Sequence, residues 1–441
     1  MKRWCNLFTP LFLAGLLFFN GSFIPGCGRG VSERSYTETP LSGDVIIIGN
    51  TIDALIAALE AARQGAAVLV FSKESSEDHW PWTEGVAALV DEEPENGEAA
   101  YSLKEWFSLH GGGKGQEWFY DLLAGQIKTD LEWFSGEIGA TWLEGSPYLL
   151  SPGNLSLPQL QERLEAAAGL EGVRFFKGTD VEEILFEERS GAAMGIRFKE
   201  ASGKARVAYA PALILADGGI LGHEELVQTL APAVISAPWR RSQSGWGWEL
   251  CLDLGLDLVE PNLFAYAPAF KEDEGWVEAK WPEKALLLVD DSIIPVAGRE
   301  KEALVSALLE NQSGAGYLII AEAQLRAEEE QELNWPRFAG IDSFLEAYQL
   351  DLPQLRRWYS QPWGDFRARP VQAIAEYCLG GFAVNEHGQL LRKGKPVSGL
   401  YGVGEITGGL HGTGLAPGAA LAEAIVFGRY VGREAALQSQ Q

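Results

Sequence analysis

The clearest feature of the chain is a set of short apolar runs separated by a helical repeat. Asp44 to Gly49 reads DVIIIG, with four consecutive β-branched residues and no polar alternation. That is the pattern of a parallel strand covered on both faces. Thr51 to Gln64, rich in Ala and Leu, predicts a helix, and Val68 to Phe71 predicts a second buried strand. Strand, helix and strand in this order form a βαβ unit. Ala212 to Gly219 reads ALILADGG. The apolar run Leu7 to Phe19 is of another kind. It follows Lys2 and Arg3, is broken by Thr9 and Pro10, and is too short for a comfortable membrane span, so it reads as an export leader.

Ile24-Pro25-Gly26-Cys27 resembles the lipobox of bacterial lipoproteins, in which the Cys is lipidated and becomes the new N-terminus. Residues 1–27 then form a signal peptide, and residues 28–42, rich in Gly, Ser, Thr and Glu, form a flexible tether. Ordinary leader cleavage with an incidental Cys27 is the alternative. The expectation is an exported protein, periplasmic or at the cell surface, held at a membrane through a lipid on Cys27.

At 441 residues, 46% apolar and 22% charged, the chain suits two packed globular domains. Its net charge of −26 would repel phosphate backbones and argues against a nucleic-acid partner. Trp80, Trp82, Trp246 and Trp248 occur in pairs that either line a pocket or pack a core. The four cysteines form no CxxC or CxxCH, so cysteine-ligated iron–sulfur clusters and covalent haem are not expected in this chain, and the histidines show no metal-ligand spacing.

A βαβ unit of this kind places a pyrophosphate at the helix N-terminus, with a GxGxxG turn. Here the turn is Gly49-Asn50-Thr51-Ile52-Asp53-Ala54. Gly49 is kept, Thr51 replaces the second Gly, and Ala54 replaces the third. The acidic residue that would bind a ribose at the end of the second strand is Ser72, with Glu74 two residues on. Asp53 adds a negative charge close to the expected phosphate.

Near the C-terminus, Gly399 to Gly412 reads GLYGVGEITGGLHG, followed by Pro417-Gly418-Ala419-Ala420-Leu421-Ala422 and Val426-Phe427-Gly428-Arg429. These segments resemble those that close the flavin site in the fumarate reductase and succinate dehydrogenase flavoprotein family, which includes flavocytochrome-type fumarate reductases and urocanate reductases. ALILADGG, Ser242 to Gly245, Leu286 to Leu308 with Gly316 to Ile319, and Leu379-Gly380-Gly381 agree with it in order. The chain is identified as a member over about residues 43–435. The resemblance implies an α/β fold: a discontinuous Rossmann-like FAD-binding domain, 43–235 and 365–441, with an inserted α+β capping domain, 236–364. It implies FAD as cofactor, near Gly49, Thr51, Ala54, Ser72, Glu74, Gly218, Glu405, Gly409, His411, Gly418 and Ala419, with Glu405 at the sugar chain.

In this family a hydride passes from flavin N5 to an activated alkene, and an Arg delivers the proton. The resemblance assigns that Arg to Arg299; a surface Arg at a helix start is the other reading. A guanidinium with a pKa above ~12 needs a carboxylate such as Glu300 to resupply its proton. The family's substrate-binding His falls on Tyr377, and its carboxylate-clamping Arg on Leu415. Both changes argue against fumarate and favour an enone or a bulky enoate. His79 and Gly85, in HWPWTEG, have the spacing of the segment that binds flavin covalently in membrane-bound relatives, although a solvated loop His has the same appearance. Two readings follow. One is an oxidoreductase acting on CH–CH groups of a small-molecule substrate, with a separate electron donor or acceptor. The other is a non-catalytic binding protein with a degraded site.

Overall fold

The computed structural model describes residues 39–73, 86–88, 101–146, 148–232, 234, 245–272, 275–290, 292–296, 301–311, 314–350 and 364–440. The elements that frame the site are, in chain order, β1 (Val45–Ile48), α1 (Ile52–Arg63), β2 (Val68–Ser72), α2 (Glu117–Ile138), β3 (Arg174–Lys177), β4 (Ala212–Leu215), β5 (Phe264–Glu272), β6 (Leu286–Val289), α3 (Lys301–Leu309), β7 (Ala315–Ala321), β8 (Phe366–Cys378), β9 (Gln389–Arg392), β10 (Lys395–Gly402), α4 (Ala419–Glu423) and α5 (Arg429–Ser439).

A six-stranded sheet runs β9-β10-β4-β1-β2-β3, parallel throughout except for β9. Its central strands are apolar on every residue because helices cover one face and further strands the other; Val45 to Ile48 and Ala212 to Leu215 are all buried. The pairing of β10 with β4 joins the C-terminal segment to the N-terminal one, with Ile214 opposite Tyr401.

The intervening chain builds a second, antiparallel sheet of seven strands, including β5-β8-β7-β6. Strand β8 lies in this sheet throughout its length, although it starts at the expected 364/365 boundary, and it ends at Tyr377 and Cys378 beside the loop that contains Gly409. Trp246 and Trp248 are buried in a core cluster with Leu250, Phe264 and Phe382, so this pair packs rather than lining an open pocket. Cys251 and Cys378 are both buried and free. No helix among the described residues is long and apolar enough to cross a membrane.

The last helix is tied to the first by charge. Arg429 donates from Nε to Glu60 of α1 at 2.7 Å and from Nη1 to Asp130 of α2, while Arg433 reaches Glu60 at 3.3 Å. Burial pushes the Glu60 carboxyl up, but hydrogen bonds from Arg429 and Gln64 and the two guanidinium charges outweigh it and hold Glu60 below its usual range.

Candidate active site

The first turn is built by local rules. Gly49 has φ +122°, and a Cβ there would lie 2.0 Å from the Ala216 carbonyl, so only glycine allows β1 to turn so close to the end of β4. Thr51 has a role that the fingerprint does not suggest. It is the N-cap of α1: its Oγ1 accepts from the Ala54 amide and donates to the Ala216 carbonyl, both at 3.1 Å. Ala54 is fully buried. The N-terminus of α1 retains the amide and dipole character that suits an anion. Ser72 closes β2, buried, and its carbonyl accepts from the Thr179 amide at 2.9 Å. Gly218 sits after β4, one residue before Gly219, which packs against Glu405.

The C-terminal loop supplies the other half. Gly404 to Ile406 form a short 3-10 turn, and the Gly409 amide donates to the Leu379 carbonyl at 2.9 Å. Gly418 caps α4, which begins at Ala419, and its carbonyl accepts from Ala87 at 3.0 Å. His411 is buried, and its carbonyl accepts from the Tyr120 hydroxyl at 2.7 Å.

Three carboxylates meet between these halves. Asp53, the second residue of α1, is 4% exposed; Glu405 is 8% and Glu423 of α4 is 1% exposed. Glu423 is satisfied: Tyr377 donates its hydroxyl to Glu423 Oε2 at 2.7 Å, and His411 Nε2 lies 2.7 Å from the same oxygen. Among the described residues, neither oxygen of Glu405 has a hydrogen-bond partner, nor has Asp53 Oδ1. Burial, with repulsion from Glu423, raises Asp53 to about 7. Burial, then the charges of Asp53 and Glu423, push Glu405 well above the usual range; the Gly219 and Cys378 amides moderate the rise without closing to hydrogen bonds of ordinary geometry. Burial and the same carboxylates push the Tyr377 hydroxyl up, which keeps it protonated.

Thus Gly49, Thr51, Ala54 and Gly218 come together with Glu405, Gly409, His411, Gly418, Ala419 and Tyr377. Cys27, Glu74, His79, Gly85 and Arg299 lie outside the described residues. Two acidic residues were missed. Glu423 is the one charged residue in the otherwise apolar run Ala419 to Phe427, a signal that was available. Glu376, buried on β8 beside Tyr377, pairs at 3.1 Å with Lys301, which opens α3 two residues after Arg299. Its place was unreadable because β8 was not recognised as part of the second sheet.

These residues fit FAD. Buried acceptors without protein partners await donors, and the hydroxyls of the FAD sugar chain are such donors. Glu405 would accept them, and the N-terminus of α1 would face the phosphates. Residues 44–267 and 298–421 match the FAD binding domain family. The chain belongs to that family. This flavoprotein is 21% identical to "Fumarate reductase 1" of Saccharomyces cerevisiae over 380 residues, 72% of this chain and 81% of that one. Its fold is similar to that of a flavocytochrome c3 fumarate reductase in the open conformation, with TM-score 0.73, 18% identity, and 91% of this chain and 79% of that chain covered. It is also similar to that of the 3-ketosteroid-Δ4-(5α)-dehydrogenase of Rhodococcus jostii RHA1, with TM-score 0.71, 19% identity, and 92% and 99% covered. The fumarate reductase and succinate dehydrogenase kinship, the α/β FAD-binding fold and FAD itself are all borne out. Members of the family are FAD-dependent oxidoreductases acting on CH–CH groups, which favours the enzyme over the non-catalytic reading.

Proposed function

We propose that this flavoprotein is exported, lipid-anchored through Cys27, and reduces or desaturates an alkene that carries at most one carboxylate, with fumarate a poor substrate. Residues 43–235 and 365–441 would hold the cofactor and 236–364 would cap it, with β8 linking the two. When bound, FAD supplies hydride transfer to or from a carbon of the substrate. The electrons come from or go to a separate partner.

The observation that carries the substrate reading is an apolar cluster. Tyr377, Leu379 and Ala420 are buried together, with Leu263, Ala265 and Leu415 packed against them. Tyr377 and Leu415 are the positions that the family resemblance gives to a substrate-binding His and a carboxylate-clamping Arg. Fumarate would have to bring two carboxylates out of water, and a buried carboxylate is tolerated only when paired. Loss of such a partner costs several kcal/mol, on the order of a thousandfold in rate. A neutral Tyr377, its hydroxyl donated to Glu423, adds no cation to this apolar wall and can only accept from a donor on the substrate.

Reduction of fumarate, urocanate and neutral enones with a reduced viologen donor tests this. Neutral enones should turn over fastest; comparable rates on fumarate would refute it. Leu415→Arg with Tyr377→His should raise fumarate turnover. Cys27→Ala should release the protein from membranes, since a lipid anchor with several chains buries enough methylenes to hold it; unchanged fractionation would remove the anchor from the proposal.

A further inference from the structure

We propose that this chain binds FAD with Asp53 as a neutral carboxylic acid, its O–H directed to an oxygen of the cofactor, so that FAD carries one proton in with it. The inference rests on the FAD site argued above and concerns a residue that the binding fingerprint does not call for.

Three observations support it. First, Asp53 is the second residue of α1, in the turn where the pyrophosphate belongs. A Cβ at Gly404, where φ is +71°, would lie 2.8 Å from Asp53 Cγ, so the carboxyl is pressed against the glycine turn that also presents Glu405. Second, Oδ1 has no partner among the described residues although Asp53 is nineteen-twentieths buried. An unpaired buried oxygen is costly as an anion, whereas a protonated one can donate to a cofactor oxygen. Third, burial and the charged groups that face Asp53 disfavour its charge: from α4 Glu423, to which Tyr377 of β8 and His411 are joined, and from the 3-10 turn Glu405; the Thr51 hydroxyl and the local backbone favour the anion but do not offset them. Two phosphates added beside these carboxylates raise the cost of an ionised Asp53 further. Before the cofactor arrives, Asp53 is half ionised at about pH 7, so binding above that pH must take a proton from solvent.

The test is titration of apoprotein with FAD, followed by flavin fluorescence and by calorimetry in two buffers of different ionisation heat. From about pH 7 to 9 the FAD Kd should rise about tenfold per pH unit, with about one proton taken up per FAD at the upper end, and flatten below about pH 6. Asp53→Asn should bind with little pH dependence and take up no proton. A wild-type Kd that is flat across this range, with no proton uptake, overturns the proposal. So does retention of the full slope by Asp53→Asn, which would assign the proton to Glu405 or Glu423. Should that variant fail to fold, Asp53→Ser takes its place in the same titration: loss of the proton uptake supports Asp53, and its retention overturns the proposal. Absence of FAD binding at every pH would instead sink the FAD reading itself.

Discussion

Helix α1 carries two buried carboxylates, Asp53 in its first turn and Glu60 two turns later, and their surroundings are opposite. Glu60 meets Arg429 and Arg433, and its carboxyl is held below its ordinary range. Asp53 meets Glu423 and the Glu405 turn, and its carboxyl is raised to about 7. One acid is neutralised by protein and knits α1, α2 and α5 together. The other is left to be neutralised by a proton. Burial alone therefore says little about what a carboxylate does; its partners decide whether it stabilises the fold or serves the site.

Three substitutions would break or sharpen this contrast. The largest effect is expected at the paired acid. Arg429→Ala leaves Glu60 and Asp130 without their main cation and removes the stacking of Arg429 on Trp133, and it should cost about 3–5 kcal/mol in urea unfolding. A loss below about 1 kcal/mol would show that Arg433 suffices.

The second concerns Asp53 and has the opposite pH sense. Its folded pKa is raised, so the folded apoprotein holds this proton more tightly than the unfolded chain does. Stability is therefore lost as pH climbs from the ordinary aspartate value of 3.8 toward about 7, and the loss is complete above that. At about 1.4 kcal/mol per pH unit spanned, the penalty reaches about 4 kcal/mol. Asp53→Asn should thus stabilise the apoprotein at about pH 8.5 and change little at about pH 4. Equal effects at both pH values would mean that Asp53 is ionised in the fold. Glu60 runs the other way, its contribution fading as pH falls through its lowered pKa.

The smallest expected effect is at the cap. Thr51→Ala removes the acceptor for the Ala54 amide and the donor to Ala216, and should lower stability by about 1–2 kcal/mol. Thr51→Ser should restore most of it; failure to do so would point to packing of the methyl group instead of the cap.

Much of the architecture could be read before any coordinates. DVIIIG and VLVF are strands at almost the expected bounds, because a strand buried on both faces admits only apolar residues. Gly49 is a turn because nothing larger fits against Ala216. The C-terminal GEITGG loop pointed to FAD through its resemblance to the loop that closes the flavin site in the family. Thr51, which stands where the fingerprint has its second Gly, is also a helix cap, and capping chemistry was available as a signal. Tyr377 was read as a residue facing substrate; its hydroxyl is held by Glu423, a residue with no local sign of reaching it across 46 positions.

The sequence by itself determined the βαβ unit, the glycine turns and the family, because each depends on side-chain period, local sterics or contiguous motif. Tertiary structure alone decided which charges meet. Asp53 and Glu423 are separated by most of the chain, as are Glu60 and Arg429, 369 residues apart. Their protonation follows from burial and from neighbours brought in by the pairing of β10 with β4 and the return of α4 and α5 onto α1. Electrostatic energy depends on distance and dielectric, and neither is written in the order of residues.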